Sequence, residues 1–152
     1  MTMVTPTAIS ASTRTSHRYS RRVEVGVDVH DVHDVVHALC HFGDQYLTRV
    51  FNEEEIAHVR AHPLTDAVFL TGRYAAREAV VKLLRLDNAV PLRALVDLSG
   101  VASVRVELRG EALDAARHKG ITEILLSIDH GRRFATAIAV ADVDNLNQGG
   151  PP

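Results

Sequence analysis

One stretch, Phe69-Leu70-Thr71-Gly72-Arg73-Tyr74-Ala75-Ala76-Arg77-Glu78-Ala79-Val80-Val81-Lys82, limits this chain more than any other. At about 100° per residue it winds into a helix with two faces. Phe69, Ala75, Ala76, Ala79, Val80 and Leu83 gather on one arc, and Arg73, Arg77, Glu78, Lys82 and Arg85 on the other. A cationic arc holding one carboxylate suits phosphate and metal together: guanidinium and ammonium groups take phosphates, and the carboxylate takes a hard cation. One carboxylate rarely holds Mg²⁺ alone. Val25-Gly26-Val27-Asp28-Val29 offers a second, Asp28, where an apolar strand gives way to a helix.

The 152 residues fit one domain with a single core, and 46% apolar with 24% charged residues is an ordinary globular balance. A net charge of -2 gives no reason to expect nucleic acid, and no apolar run reaches the length of a membrane span. The single cysteine, Cys40, excludes an internal disulfide and fits a reducing cytoplasm. Residues 1–22, rich in Thr, Ser and Arg, read as a disordered extension; residues 23–142 form the domain, and residues 143–152 read as a disordered tail.

Within the domain, residues 23–29 read as a strand and 30–42 as a helix ended by Gly43. Asn52, followed by Glu53, Glu54 and Glu55, has the form of an N-cap and an acidic first turn, opening a helix to Ala61. The long helix covers residues 66–86. Strands follow at 94–98 and 103–109, then a helix at 110–119 and a last hairpin of 123–128 with 133–141. The class is α+β, a small, mostly antiparallel sheet packed against helices.

Gly26-Val27-Asp28-Val29 and Arg73-Tyr74-Ala75-Ala76-Arg77-Glu78-Ala79-Val80-Val81-Lys82 resemble the two motifs of the phosphopantetheinyl transferases of the holo-acyl-carrier-protein synthase type. Those motifs are Gly-x-Asp-[Ile/Val] and Arg-[Phe/Trp]-Ala-x-Lys-Glu-Ala-x-x-Lys. A third match is Ser127-Ile128-Asp129-His130, where the family has Ser-Leu-Ser-His before a hairpin. The resemblance implies the family's fold and homotrimer, with sites at subunit contacts. It also implies Mg²⁺-dependent transfer of 4′-phosphopantetheine from coenzyme A to a serine of an acyl carrier protein. Asp28 and Glu78 would then hold the metal and Glu78 accept the serine proton. Lys82 would touch the pyrophosphate and steady the leaving group, Arg73 and Arg77 would hold nucleotide phosphates, and His130 the nucleotide end.

Taken singly, each of these residues has a plainer reading. Glu78 and Lys82 form an i,i+4 surface pair, Asp28 caps the helix after it, the arginines are a solvated face, and His130 lies in a surface turn. The chain also departs from the family. Arg77 stands for lysine, the segment after Lys82 lacks glycine, Asp129 replaces serine, and Asp34 replaces an arginine that meets the acidic carrier. His30, His33, His37 and His41 are expected along one helix face, as a solvated or subunit-contact surface, a transition-metal site, or a patch that turns cationic in mild acid. These departures leave two other functions open: the same fold turned to dehydration or cyclisation of a biosynthetic intermediate, or a non-catalytic binding subunit.

Overall fold

The computed structural model describes residues 22–62, 66–87 and 90–143. Its elements are β1 (Arg22–Asp31), α1 (Val32–Phe42), α2 (Asp44–Val50), α3 (Glu53–Ala61), α4 (Asp66–Leu84), α5 (Leu92–Leu95), β2 (Val96–Ser99), β3 (Arg105–Leu108), α6 (Gly110–Lys119), β4 (Leu125–His130) and β5 (Phe134–Val143). The class is α+β, with a three-stranded antiparallel sheet in the order β1-β5-β4 and a two-stranded β2-β3 ribbon. The expected tails lie outside the described residues except at their inner ends, where Arg22 pairs with Val143. Among the described residues no helix is long and apolar enough to cross a membrane.

Strand β1 uses its alternation backwards. Glu24, Gly26 and Asp28 point inward and are buried, while Val23, Val25, Val27 and Val29 face outward, each about half exposed. Across the sheet the inward partners are small: Ala141, Ala139 and Ala137 of β5 stand opposite Glu24, Gly26 and Asp28. This flat floor lets α4 settle onto the strands. A Cβ placed on Gly26 would lie 1.9 Å from the carbonyl oxygen of Ala79 and 2.6 Å from the amide nitrogen of Leu83, so only glycine fits.

Helix α4 is covered on more than one side, and this overturns its division into a dry and a wet arc. The sheet, β2 and α6 pack around Ala75, Ala76, Ala79, Val80 and Leu83. Helices α1 and α3 close over Leu70 with Val35, Phe51, Ile56 and Val59. Arg73 and Arg77, expected in solvent, are therefore buried. A buried guanidinium needs a partner, and Glu55 of α3 supplies it. Arg77 grips Glu55 through both ends of its fork, at 3.0 and 2.7 Å, and donates its Nε–H to the carbonyl of Val96 at 3.2 Å. The same carboxylate closes the capping box of α3 by accepting the amide of Asn52 at 2.9 Å. Asn52 in turn donates to Asp97 and to the carbonyl of Leu98. One buried ion pair thus ties α3 and β2 to the long helix.

Several boundaries differ from those read in the sequence. β1 continues through Asp31, so α1 starts at Val32 and its N-cap is Asp31, whose Oδ1 accepts the amide of His33 at 2.9 Å. Asp28 does not cap that helix, because it lies inside the ladder opposite Ala137. α2 was not anticipated, and α5 occupies the start of the expected strand at 94–98. α4 ends two residues early. The amide of Leu86 donates to the carbonyl of Val81 and that of Arg85 to Lys82, both at 3.1 Å, the pattern that closes a helix through a left-handed residue. That residue is Arg85, at φ 60. Its side chain reaches Glu24 at 3.4 Å, and Arg22 and Lys119 approach the same buried carboxylate at 2.8 and 3.9 Å.

Two stability measurements follow. In urea titrations Glu55→Ala, which strands Arg77 as a buried, unpaired cation, lowers stability by about 3–5 kcal/mol. Pairing Glu55→Leu with Arg77→Met recovers part of that loss. In thermal melts Arg85→Gly gains about 1 kcal/mol by removing left-handed strain, less a few tenths for the pair with Glu24, whose arginine end is exposed, whereas Arg85→Ala gains nothing.

Candidate active site

The descent of α4 onto Gly26 brings Asp28, two residues on and on the same inward face, beside the helix. Asp28 is buried. Its Oδ1 accepts from the ammonium of Lys82 at 2.7 Å, while Oδ2, also buried, has no hydrogen-bond partner. Lys82 itself is half exposed. A carboxylate with one oxygen held and the other bare is an incomplete arrangement, one that a cation would complete.

Glu78 lies one turn before Lys82 on α4 and is half-buried. Tyr74, one turn earlier still, lies near enough to Glu78 and Asp28 to feel both charges. Burial first, then Glu78 and Asp28, push the phenol above its ordinary value, so it remains a donor throughout the neutral range. The ring of His30 lies 4.5 Å from that of Tyr74, tilted by 38°. His30 therefore belongs to this site and not to the helix face with His33, His37 and His41.

Asp28 and Glu78 are hard oxygen donors, and the bare Oδ2 of Asp28 is a free ligand position, so the pair fits Mg²⁺. Among the described residues no group of three or more His, Cys, Asp or Glu side chains could hold a metal ion. A cation here would take its remaining oxygens from water or a phosphate. On α1 the rings of His37 and His41 stack on each other, with centroids 3.9 Å apart.

Arg73 and His130 form a second cluster. Arg73 is 3% exposed; it donates through Nη2 to the carbonyl of Gly100, lies over the Phe69 ring at 4.9 Å, and leaves Nη1 buried without a partner. Burial lowers its guanidinium from the ordinary value, Glu55 opposes, and Arg77 adds to the lowering. His130, at the end of β4, has its imidazole over Gly72: a Cβ on that glycine would sit 2.2 Å from Nε2. Burial lowers the His130 imidazole below its usual value, Asp129 opposes and Arg73 reinforces. Both residues line a cleft of about 1110 Å³ that also touches Phe69, Ser103, Arg105 and Ser127.

The expected site residues thus fall into two clusters. Asp28 and Lys82 meet on the β1 side of α4, with Glu78 one turn before Lys82 on the same helix, and Arg73 and His130 both line the cleft. From residue 73 to residue 78 the helix turns through about 140° net, which points these side chains apart. Arg77 joins neither cluster, being fully buried against Glu55. Asp34 and Asp129 are exposed. From the sequence, Glu55 is expected only in the acidic first turn of α3, and Gly72 and Tyr74 are given no role of their own. Gly72 had a readable sign, since glycine inside a helix costs about 1 kcal/mol and calls for a reason.

The model of the 4′-phosphopantetheinyl transferase superfamily matches residues 24–139. The holo-[acyl-carrier-protein] synthase of Solidesulfovibrio magneticus is 35% identical over 121 residues, covering 78% of this chain and 96% of that protein. Its counterpart in Leptospira biflexa is 32% identical over 122 residues, with 78% and 94% covered. Among solved structures, a Chronobacterium ammoniagenes ACPS–CoA complex superposes with a TM-score of 0.68 at 25% identity, covering 80% of this chain and 98% of that one. The holo-ACP-synthase of Plasmodium yoelii, at 22% identity, shares the fold with a TM-score of 0.67 over 82% of this chain and 98% of that chain. Matched across most of the described residues in sequence and fold, this chain belongs to the 4′-phosphopantetheinyl transferase superfamily and is a transferase of the holo-acyl-carrier-protein synthase type.

Proposed function

We propose that the protein moves 4′-phosphopantetheine from coenzyme A to a serine of an acyl carrier protein with Mg²⁺ held by Asp28 and Glu78. The observation that carries this reading is the bare, buried Oδ2 of Asp28, whose other oxygen is held by Lys82, one helical turn after Glu78. Glu78 accepts the proton of the carrier serine as its oxygen attacks the pantetheine-side phosphorus. The phosphorus–oxygen bond to the nucleotide breaks, and Lys82 releases Asp28 to steady the departing phosphate of adenosine 3′,5′-bisphosphate. A bound Mg²⁺ supplies charge neutralisation on the pyrophosphate.

Arg73 and His130 take the nucleotide end in the cleft. The unpartnered Nη1 of Arg73 supports this role. Arg77 is left out of the phosphate set, because its donors already serve Glu55 and Val96. Since the two clusters diverge on one helix, we assign each complete site to two subunits, the cleft of one copy facing the carboxylate pair of another. The outward valines of β1, with Ile138 and Leu125 also exposed, give an apolar face that a trimer would cover. The exposed Asp34 on α1 argues for a carrier less acidic than that of fatty-acid synthesis, as in a polyketide or peptide assembly line.

The test weighs a panel of apo carriers by mass spectrometry after incubation with coenzyme A and Mg²⁺. The wild type adds the phosphopantetheine mass to at least one carrier, and Asp28→Ala or Glu78→Ala lowers the rate at least about 100-fold. Refolded mixtures of Glu78→Ala with His130→Ala regain activity if sites are shared. A panel left without any mass gain, beside a working control transferase, defeats the proposal.

The lowered pKa of His130 gives a second check. Neutral near pH 7.5, its ring gains a proton when a phosphate arrives, because the anion favours the cationic form. Binding then takes up a proton, and calorimetry finds coenzyme A affinity rising more steeply from pH 8 to pH 6 in the wild type than in His130→Ala. The difference between the two proteins removes the phosphate's own titration.

A further inference from the structure

Gly72 is buried in the first half of α4 and takes no part in the proposed reaction, although glycine weakens a helix interior. Its surroundings supply the reason. β5 lays a row of buried alanines beneath the helix, and His130 of β4 stands opposite one of them, Ala135. A Cβ on Gly72 would lie 2.2 Å from Nε2 and 2.6 Å from Cδ2 of the His130 ring, and 3.0 Å from Cγ2 of Ile128. The two nearest atoms are the far end of a rotatable side chain. An added methyl group therefore displaces the ring before it disturbs the backbone.

We infer that Gly72 is the positioning residue of His130: its missing side chain leaves the slot in which the imidazole lies against α4, facing the cleft that Arg73 also lines. This rests on the reading of His130 as a ligand of the nucleotide end. In the slot the ring has lost part of its water and feels the charges of Arg73 and Asp129. A protonated ring held near a guanidinium is repelled by it, and a phosphate shared by the two relieves that repulsion. A ring driven from the slot regains water and rotamer freedom. The phosphate would then have to order it on binding, with a loss of affinity. Gly72 touches neither substrate nor reacting atoms in this scheme.

Calorimetry with coenzyme A, run beside an NMR titration of the His130 ring in the free protein, measures the effect. At pH 6 Gly72→Ala weakens coenzyme A about 10-fold or more, as His130→Ala does, the usual loss for a hydrogen bond to a charged group. It also loses the share of the rise in affinity from pH 8 to pH 6 that His130 supplies. That share is complete below the pKa of the free ring and fades as pH rises through the higher value of the bound ring. In the titration the wild-type ring stays below the ordinary imidazole value, whereas in Gly72→Ala it returns to it, because burial no longer lowers it. Combining Gly72→Ala with His130→Ala weakens binding no further than either alone. A glycine that served only the helix would shift the melting temperature and leave the ring's titration where it was.

The inference is overturned if Gly72→Ala binds coenzyme A within twofold of the wild type, or if the two substitutions weaken binding independently. Should His130→Ala itself bind as tightly as the wild type, the nucleotide-end reading fails and the role of Gly72 falls with it. An impaired His130→Ala beside a normal Gly72→Ala removes only the latter. Where Gly72→Ala fails to fold, adding His130→Ala restores the fold if the imidazole is what the methyl group meets. A chain that stays unfolded places the obstruction elsewhere and overturns the inference.

Discussion

The backbone of α4 rests directly on the backbone of β1 at Gly26, and the remaining arrangement depends on that contact. Helices usually pack on sheets through a layer of side chains. Here the strand offers a glycine, its partner β5 offers a run of alanines, and the helix comes closer. The gain is not apolar area, since alanine buries little. It is registration. A charged side chain on the inward face of β1 would ordinarily be an error, yet Asp28 there meets Lys82 of the helix. Dispersion contacts between two flat surfaces hold the helix, and polar groups occupy the margin where the surfaces diverge.

The valines of β1 are the counterpart of this choice. With its inward positions given to Glu24, Gly26 and Asp28, the strand keeps its β-branched residues for the outward face. Periodicity alone shows the alternation but not which face is inside. That ambiguity is physical: both faces are dry if one meets a helix and the other meets a second copy of the chain.

Much of the candidate site was legible because its residues are fixed by local spacing. Asp28 two residues after a strand glycine, and Glu78 and Lys82 one turn apart, need only the period of a strand and of a helix. The buried arginines were not legible, because a guanidinium goes inside only if a carboxylate distant in sequence waits for it, and nothing in residues 73–77 announces Glu55. The capping box at Asn52 was partly visible, but its second duty as the anion for Arg77 was not. For the same reason two apparent departures from the family prove structural. Arg77 is a strut whose planar fork suits Glu55, and Arg85 ends α4 in the left-handed conformation that glycine would adopt more easily. Arg77 and the missing glycine had suggested a fold turned to other chemistry; in the structure Arg77 serves Glu55 and Arg85 reaches Glu24.

Because Arg73, Tyr74, Glu78 and Lys82 ride on one uninterrupted helix, the offset between the cleft and the carboxylate pair is set by counting residues. Each residue contributes about 1.5 Å and 100°. A substitution along α4 alters one contact and leaves the others aimed as before. Inserting a single residue between Arg73 and Glu78 would keep every side chain and turn one cluster by more than a quarter circle relative to the other. Helix length is therefore as constrained as side-chain identity: α4 works as a ruler, and its graduations matter as much as the groups it carries.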